Sequence, residues 1–299
     1  MLKNKKVVLL IAALLTVAFL VVGCGGQTPS APDNAAEKGK VKILYVEWAC
    51  ATATSHVLAD VLERKMGYEV ELVPLAASAM YQGLATGDGD ALFCCWLPVT
   101  HGDYMKNVGD QVENLGTNME GAKIGLVVPK YVTINSIEEM NGVKDKFGGK
   151  IIGIDPGAGI MKCTEAALKD YNLDYTLVEG SDATMVAALK KAYDNQEWIA
   201  VTGWTPHWKF ASWDLKYLDD PKKSYGEAEH IDTVVRKGLK TDMPEVYELF
   251  DNFNWTSDDL SKAMIIAEEE GQTSKTGATK WVDQNQELVN SWLPEKYRS

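Results

Sequence analysis

Short apolar runs alternate with segments of helical spacing from residue 41 to residue 236, and no other feature of the sequence limits the fold as strongly. Residues 41–47, 68–74, 90–95 and 124–128 read as strands. Residues 54–66 read as a helix stopped by Gly67, and 78–86 as a second helix with Ser78 as its candidate cap. The theme then repeats, with strands over 150–155, 175–178, 198–202, 215–218 and 231–236. Helices are predicted over 160–171 and 182–195, with another beginning in 206–212. Three further helices, over 243–253, 257–270 and 278–292, close the chain, and residues 254–259 contain a cap for the second of them. Alternating β and α units imply α/β architecture with mainly parallel sheets covered on both faces. Two groups of such units suggest two lobes: residues 41–128 with 232–299, and residues 129–231. The terminal helices are expected to return to the first.

The preceding residues carry a different signal. Lys3, Lys5 and Lys6 flank the start of an apolar run over residues 7–22, which ends in Gly23-Cys24. This is the order of a secretory signal over residues 1–23. Its ending resembles a bacterial lipoprotein signal, which would make Cys24 the lipidated first residue of the mature chain. An uncleaved membrane anchor is the alternative, although the run is short for one. Residues 24–40 are small and polar with two prolines, Pro29 and Pro32, and read as a tether. The implied location is outside the cell, on the outer face of its membrane.

A formal charge of −12 argues against a nucleic-acid partner. Besides Cys24, the thiols are Cys50, Cys94, Cys95 and Cys163, with no C-x-x-C pair to suggest a metal site. They read as small buried residues or, for Cys50 with Cys94 or Cys95, as a bridge.

Ligands of open α/β sheets bind beyond the carboxyl ends of the strands. Trp48, Trp96 and Trp204 each stand at such an end. Any one of them alone would be read as packing on its neighbouring helix; three together suggest an aromatic box. Aromatic faces attract a quaternary ammonium, which has no N–H for directed hydrogen bonds, by about 0.5–2 kcal/mol per ring. The turn Pro156-Gly157-Ala158-Gly159-Ile160 precedes a helix and offers backbone donors to an anion. It lacks the P-loop and dinucleotide signatures. His101, five residues after Trp96, is a candidate further donor. The set suits a small zwitterion, with no cofactor, no metal and no catalytic residue required.

These residues lie in motifs that resemble the glycine betaine-binding proteins of ABC importers, the OpuAC/ProX-like family. The motifs are Tyr45-Val-Glu-Trp48, Cys95-Trp-Leu-Pro-Val-Thr-His101, Gly153-Ile-Asp-Pro-Gly-Ala-Gly-Ile-Met161, Gly203-Trp-Thr-Pro-His-Trp208 and Leu215-Lys-Tyr-Leu-Asp-Asp-Pro221. The resemblance covers nearly all of the chain after the tether. It implies a two-lobed, periplasmic-binding-protein-like fold of type II, with the ligand between the lobes. It also implies a prism of Trp48, Trp96 and Trp204 around a trimethylammonium group, and a carboxylate held by the amides of Gly159 and Ile160 and by His101. The implied partners are an ABC permease and its ATPase, and the implied role is osmoprotectant uptake. Ala49-Cys50 departs from the more polar residues the resemblance leads one to expect there. Choline, carnitine or proline betaine is the alternative ligand class, and a cysteine-dependent enzyme or a sensor lipoprotein the alternative function.

Overall fold

The computed structural model describes residues 38–298. The expected signal over residues 1–23, Cys24 and most of the expected tether lie outside the described residues. Nine strands and eleven α-helices are described. The strands are β1 Lys40–Tyr45, β2 Glu69–Pro74, β3 Ala91–Leu97, β4 Val112–Pro129, β5 Lys150–Ile152, β6 Thr176–Val178, β7 Val201–Thr205, β8 Leu215–Tyr217 and β9 Glu229–Arg236. The helices are α1 Ala49–Val61, α2 Ala77–Thr86, α3 Gly102–Val108, α4 Gly159–Asp170, α5 Asp182–Asp194, α6 Lys209–Ser212, α7 Leu239–Asp242, α8 Pro244–Asn252, α9 Ser257–Ala267, α10 Ser274–Gln284 and α11 Gln286–Trp292.

The strands form one connected path, β2-β1-β3-β9-β4-β7-β5-β6, with β8 paired to β4. The two wings are parallel: β2, β1 and β3 on one side, and β7, β5 and β6 on the other. The middle is not. β9 runs antiparallel to β3 and β4, and β4 runs antiparallel to β7 and β8. The expectation of mainly parallel sheets is therefore corrected to mixed sheets. The cause is β4, whose first half pairs with β9 and whose second half pairs with β7 and β8. Only residues 124–128 of this strand read as strand in the sequence. Its first half contains Asn114, Gly116, Thr117, Asn118 and Gly121, poor strand formers, and its pairing with β9 slips register at three places. Tertiary pairing, not propensity, makes it a strand.

Other differences have local reasons. α1 starts at Ala49 rather than at residue 54, because Ala49-Cys-Ala-Thr-Ala53 shows no apolar stripe; ten of its thirteen residues are buried, so no polar face marks its start. A π-helical turn, Leu62–Met66, then carries the chain to Gly67, whose φ of 72° ends it as expected. Ser78 does not cap α2: Ala76 holds the N-cap position, without a side-chain bond. The strand expected over 198–202 is displaced to β7, which puts Trp204 inside the strand. The single helix expected over 278–292 is two, broken at Asn285, and the first begins at Ser274 behind a Thr273–Thr276 capping box. Thr256 caps α9 as the sequence suggested. α3 and a 3-10 segment, Ile137–Phe147, capped by Ser136 and Glu139, were not foreseen.

The terminal helices complete the core around β3. Phe93 of β3 meets Phe250 at 4.8 Å and Phe253 at 5.8 Å between ring centroids. Phe253 packs edge-on against Trp292, which stacks on Trp281 at 6.1 Å. Trp292 is fully buried, and its indole N–H donates to the Asn254 carbonyl at 2.8 Å. Lys38 is ordered too, donating to the Met66 carbonyl at 2.5 Å, so the tether joins the fold before residue 41. Trp292→Ala should remove about 3–5 kcal/mol of unfolding free energy, read from the denaturation midpoint in guanidinium.

Candidate functional site

Trp48 takes the N-cap position of α1, three residues past the end of β1. Its extended backbone (φ −92°, ψ 144°) turns the chain into the helix, and its indole N–H donates to Asp155 Oδ2 at 3.1 Å. Trp96 is the penultimate residue of β3 and Trp204 the penultimate residue of β7. Both therefore lie within strand ends rather than beyond them. The peptide bonds before Pro98 and Pro206 are cis.

After Trp96 the chain folds back on itself. The His101 N–H donates to the Trp96 carbonyl at 2.9 Å, and the Trp96 N–H donates to His101 Nδ1 at 3.0 Å. A ring nitrogen that accepts carries no proton, so the proton of the neutral imidazole sits on Nε2. Burial pushes the His101 pKa down to about 4, so the ring is neutral at pH 7. Nε2 is buried and has no partner among the described residues. A buried donor left unpaired is costly, and the residue that carries it borders a cavity. The imidazole also stacks on Trp48, 5.6 Å between centroids and 19° between planes.

The same turn is gripped from below by Glu229, itself buried at the start of β9. One carboxylate oxygen accepts the Val99 and Thr100 N–H groups at 2.8 and 2.9 Å, and the other accepts the Thr100 hydroxyl. Opposite this turn stands the start of α4. Ala158 is its extended N-cap, and the N–H groups of Gly159 and Ile160 belong to the first turn, which has no intrahelical acceptors. A Cβ on Gly159 would lie 1.9 Å from the Thr100 carbonyl oxygen, so only glycine permits this approach. Tyr104 Oη donates to the Gly157 carbonyl at 2.6 Å, and Lys162 pairs with Asp103 at 3.2 Å across the same junction.

All six residues singled out in the sequence, Trp48, Trp96, His101, Gly159, Ile160 and Trp204, line one cavity. Cys50, Thr100, Ile124, Ile154 and Ala158 complete its wall. No carboxylate and no ammonium is among the lining residues. Three indoles, the His101 imidazole and the start of α4 thus meet at one cavity.

Sequence reasoning missed Asp155, Glu229, Tyr104 and Asp182. Asp182 Oδ2 accepts the Ala49 N–H, immediately after Trp48, at 2.9 Å, and Oδ1 pairs with His207 Nε2 at 3.1 Å. Asp155 lay inside a quoted motif. Nothing local marks the other three, whose hydrogen-bond partners are at least 25 residues away.

The four thiols in the described residues are free and buried, with Cys50 and Cys94 Sγ atoms 3.8 Å apart. The Cys94 thiol is pushed well above its ordinary pKa by its contact with the Cys50 thiol and by burial. Burial raises Cys95 to about 12 and Cys163 to about 11. These three are protonated at neutral pH and unsuited to nucleophilic attack.

The family model for the substrate-binding domain of ABC-type glycine betaine transport systems matches residues 39–284. The chain belongs to this family. It is 49% identical over 163 residues to the glycine betaine/carnitine transport binding protein GbuC of Listeria monocytogenes. That match spans 54% of this chain and 54% of GbuC, about half the length of each. The crystal structure of the glycine/betaine/L-proline-binding protein ProX of Borrelia burgdorferi superposes with a TM-score of 0.83 at 42% identity, covering 87% of this chain and 98% of ProX. Lactococcal OpuAC, in its closed-liganded conformation with glycine betaine, superposes with a TM-score of 0.81 at 38% identity, covering 86% of this chain and all of that one. The fold is accordingly that of the periplasmic-binding-protein-like members of this family.

Two stability effects follow from the site geometry. Gly159→Ala should cost about 1–3 kcal/mol through overpacking, whereas Gly157→Ala, whose Cβ would meet only the Tyr104 hydroxyl at 3.7 Å, should cost little; chemical denaturation compares them. Burial pushes the pKa of both His101 and His207 down to about 4, from the ordinary 6.5 of an exposed imidazole. The unfolded chain therefore takes up protons that the folded chain refuses between pH 6.5 and 4. Their contribution is complete above pH 6.5 and is lost as the pH falls towards 4, and the thermal midpoint should fall across that interval.

Proposed function

We propose that this chain is the lipid-anchored, extracytoplasmic receptor of an ABC importer and captures glycine betaine for osmoprotectant uptake. The observation that carries the reading is the single cavity walled by three indoles, free of carboxylates, with an unpaired buried donor on His101. Trp48, Trp96 and Trp204 enclose the trimethylammonium head through cation–π attraction. The ligand carboxylate accepts from the Gly159 and Ile160 N–H groups and from His101 Nε2. Binding is not followed by turnover, which the raised pKa values of Cys94, Cys95 and Cys163 favour.

Residues 41–128 with 232–299 form one lobe in this reading, and residues 129–231 the other. The ligand stabilises the closed arrangement because it touches both. Closure is supported by the Trp48–Asp155, Ala49–Asp182 and Tyr104–Gly157 bonds, each of which crosses that boundary. The closed form docks on the permease, and the ATPase drives transfer. Cys24 carries the lipid that holds the receptor at the membrane.

Glycine betaine is favoured over choline by the unpaired donor on His101, since choline has no carboxylate to accept from it. Carnitine and proline betaine share both charges and differ in bulk. Isothermal titration with glycine betaine should give one site per chain. Trp48→Ala, Trp96→Ala and Trp204→Ala should each weaken binding by about tenfold or more, from the lost ring contact and packing. His101→Ala should reduce the preference for glycine betaine over choline. Undiminished binding in all three tryptophan variants would falsify the aromatic prism.

A further inference from the structure

Lys209 begins α6, five residues after Trp204, and its side chain is wholly buried. Its Nζ has no hydrogen-bond partner among the described residues. It lies over the Trp204 ring, 4.2 Å from the centroid, and does not line the cavity. The ammonium thus lies against the indole without entering the cavity wall.

An aromatic face attracts a cation through the electron density of the ring, and the two faces share that density. A cation on one face reduces the attraction at the other, and two like charges on opposite sides of one ring repel through a low-dielectric interior. We infer that Lys209 sets the strength of the cation site, its protonated form opposing a quaternary ammonium on the inner face of Trp204 and its neutral form releasing that opposition. This rests on the reading of Trp204 as one wall of the betaine site.

The titratable groups facing Lys209 are Asp182 of α5, Cys50 of α1 and His207 of its own turn; Glu268, just beyond α9, faces Asp182 in turn. His207 Nδ1 accepts the Lys209 backbone N–H at 3.1 Å, so its proton sits on Nε2 and points to Asp182. Burial pushes the His207 pKa down to about 4, leaving it neutral above that pH. Burial pulls the Asp182 pKa up, but its contacts with His207, Lys209 and the Ala49 N–H outweigh this and hold it below its ordinary value. Burial also pushes Lys209 down to about 7, with Asp182 and Cys50 opposing. Lys209 therefore changes charge near neutrality while His101 and His207 stay neutral.

The sign follows from linkage. A ligand cation disfavours the ammonium, so binding expels a proton and affinity rises with pH until Lys209 is neutral in the free protein. At a separation of roughly 10 Å and an effective dielectric of about 20, the repulsion corresponds to about a tenfold change in affinity.

The test is isothermal titration of glycine betaine into the wild type, Lys209→Met and Lys209→Arg near pH 5.5 and pH 8.5. The wild type should bind about five- to tenfold more tightly at the higher pH. Lys209→Met should lose this dependence and match the tight limit, and Lys209→Arg should stay at the weak limit. Titrations of the wild type near pH 6.5 in buffers of different ionisation enthalpy should show about half a proton released per ligand. That readout needs no variant and decides the matter if the substitutions prevent folding. Equal wild-type affinities at both pH values with no proton release would overturn the role of Lys209 while leaving the betaine reading intact. Persistence of the pH dependence in folded Lys209→Met would do the same. No betaine binding by any protein at either pH would overturn both.

Discussion

The reciprocal pair of hydrogen bonds between Trp96 and His101 is the constraint on which the site depends. The donor from the Trp96 main chain occupies Nδ1 and forces the imidazole proton to Nε2. The acceptor at the Trp96 carbonyl closes the turn, so the ring cannot swing away. One short loop therefore delivers an indole, a directed donor and a platform on which Trp48 stacks. Glu229 ties the arrangement down by accepting the N–H groups of Val99 and Thr100 on one carboxylate oxygen.

The long strand β4 is the structural counterpart of that turn. It is shared between two groups of strands whose wings are parallel and whose middle is antiparallel, so elements far apart in sequence meet along one line. The three indoles come from β3, β7 and the start of α1, and the facing backbone donors from the start of α4. A cation box needs ring faces and no competing carboxylate at its wall; a carboxylate site needs N–H groups with no acceptor of their own. Strand ends supply the indoles and a helix start supplies the free N–H groups, and both border one cavity.

The pairing of Asp182 with His207 adds a second layer of charge behind the indoles. A carboxylate at the N-terminus of α1 satisfies its first N–H and suits the helix dipole, and the same carboxylate balances the buried ammonium of Lys209. The indole of Trp204 thus borders both the cavity and the buried Lys209, so its electrostatics depend on residues outside the cavity wall.

The alternation of strand and helix was legible because period-two and period-3.6 patterns are local properties of side-chain order. The tryptophans, the glycine turn and His101 were legible for a related reason: they sit at element ends, in motifs a few residues long. α1 hid its start because burial on every side erases the amphipathic signal, and β4 hid its first half because its partner lies more than a hundred residues away. Glu229, Asp182 and the placement of Lys209 behind Trp204 were invisible for the same reason. By itself, then, the sequence determined the class of fold and which chemical groups stand near the element ends. Only the tertiary structure decided which nitrogen of His101 carries the proton, which carboxylates stay out of the cavity and which cation backs an indole, because each depends on contacts between segments distant along the chain.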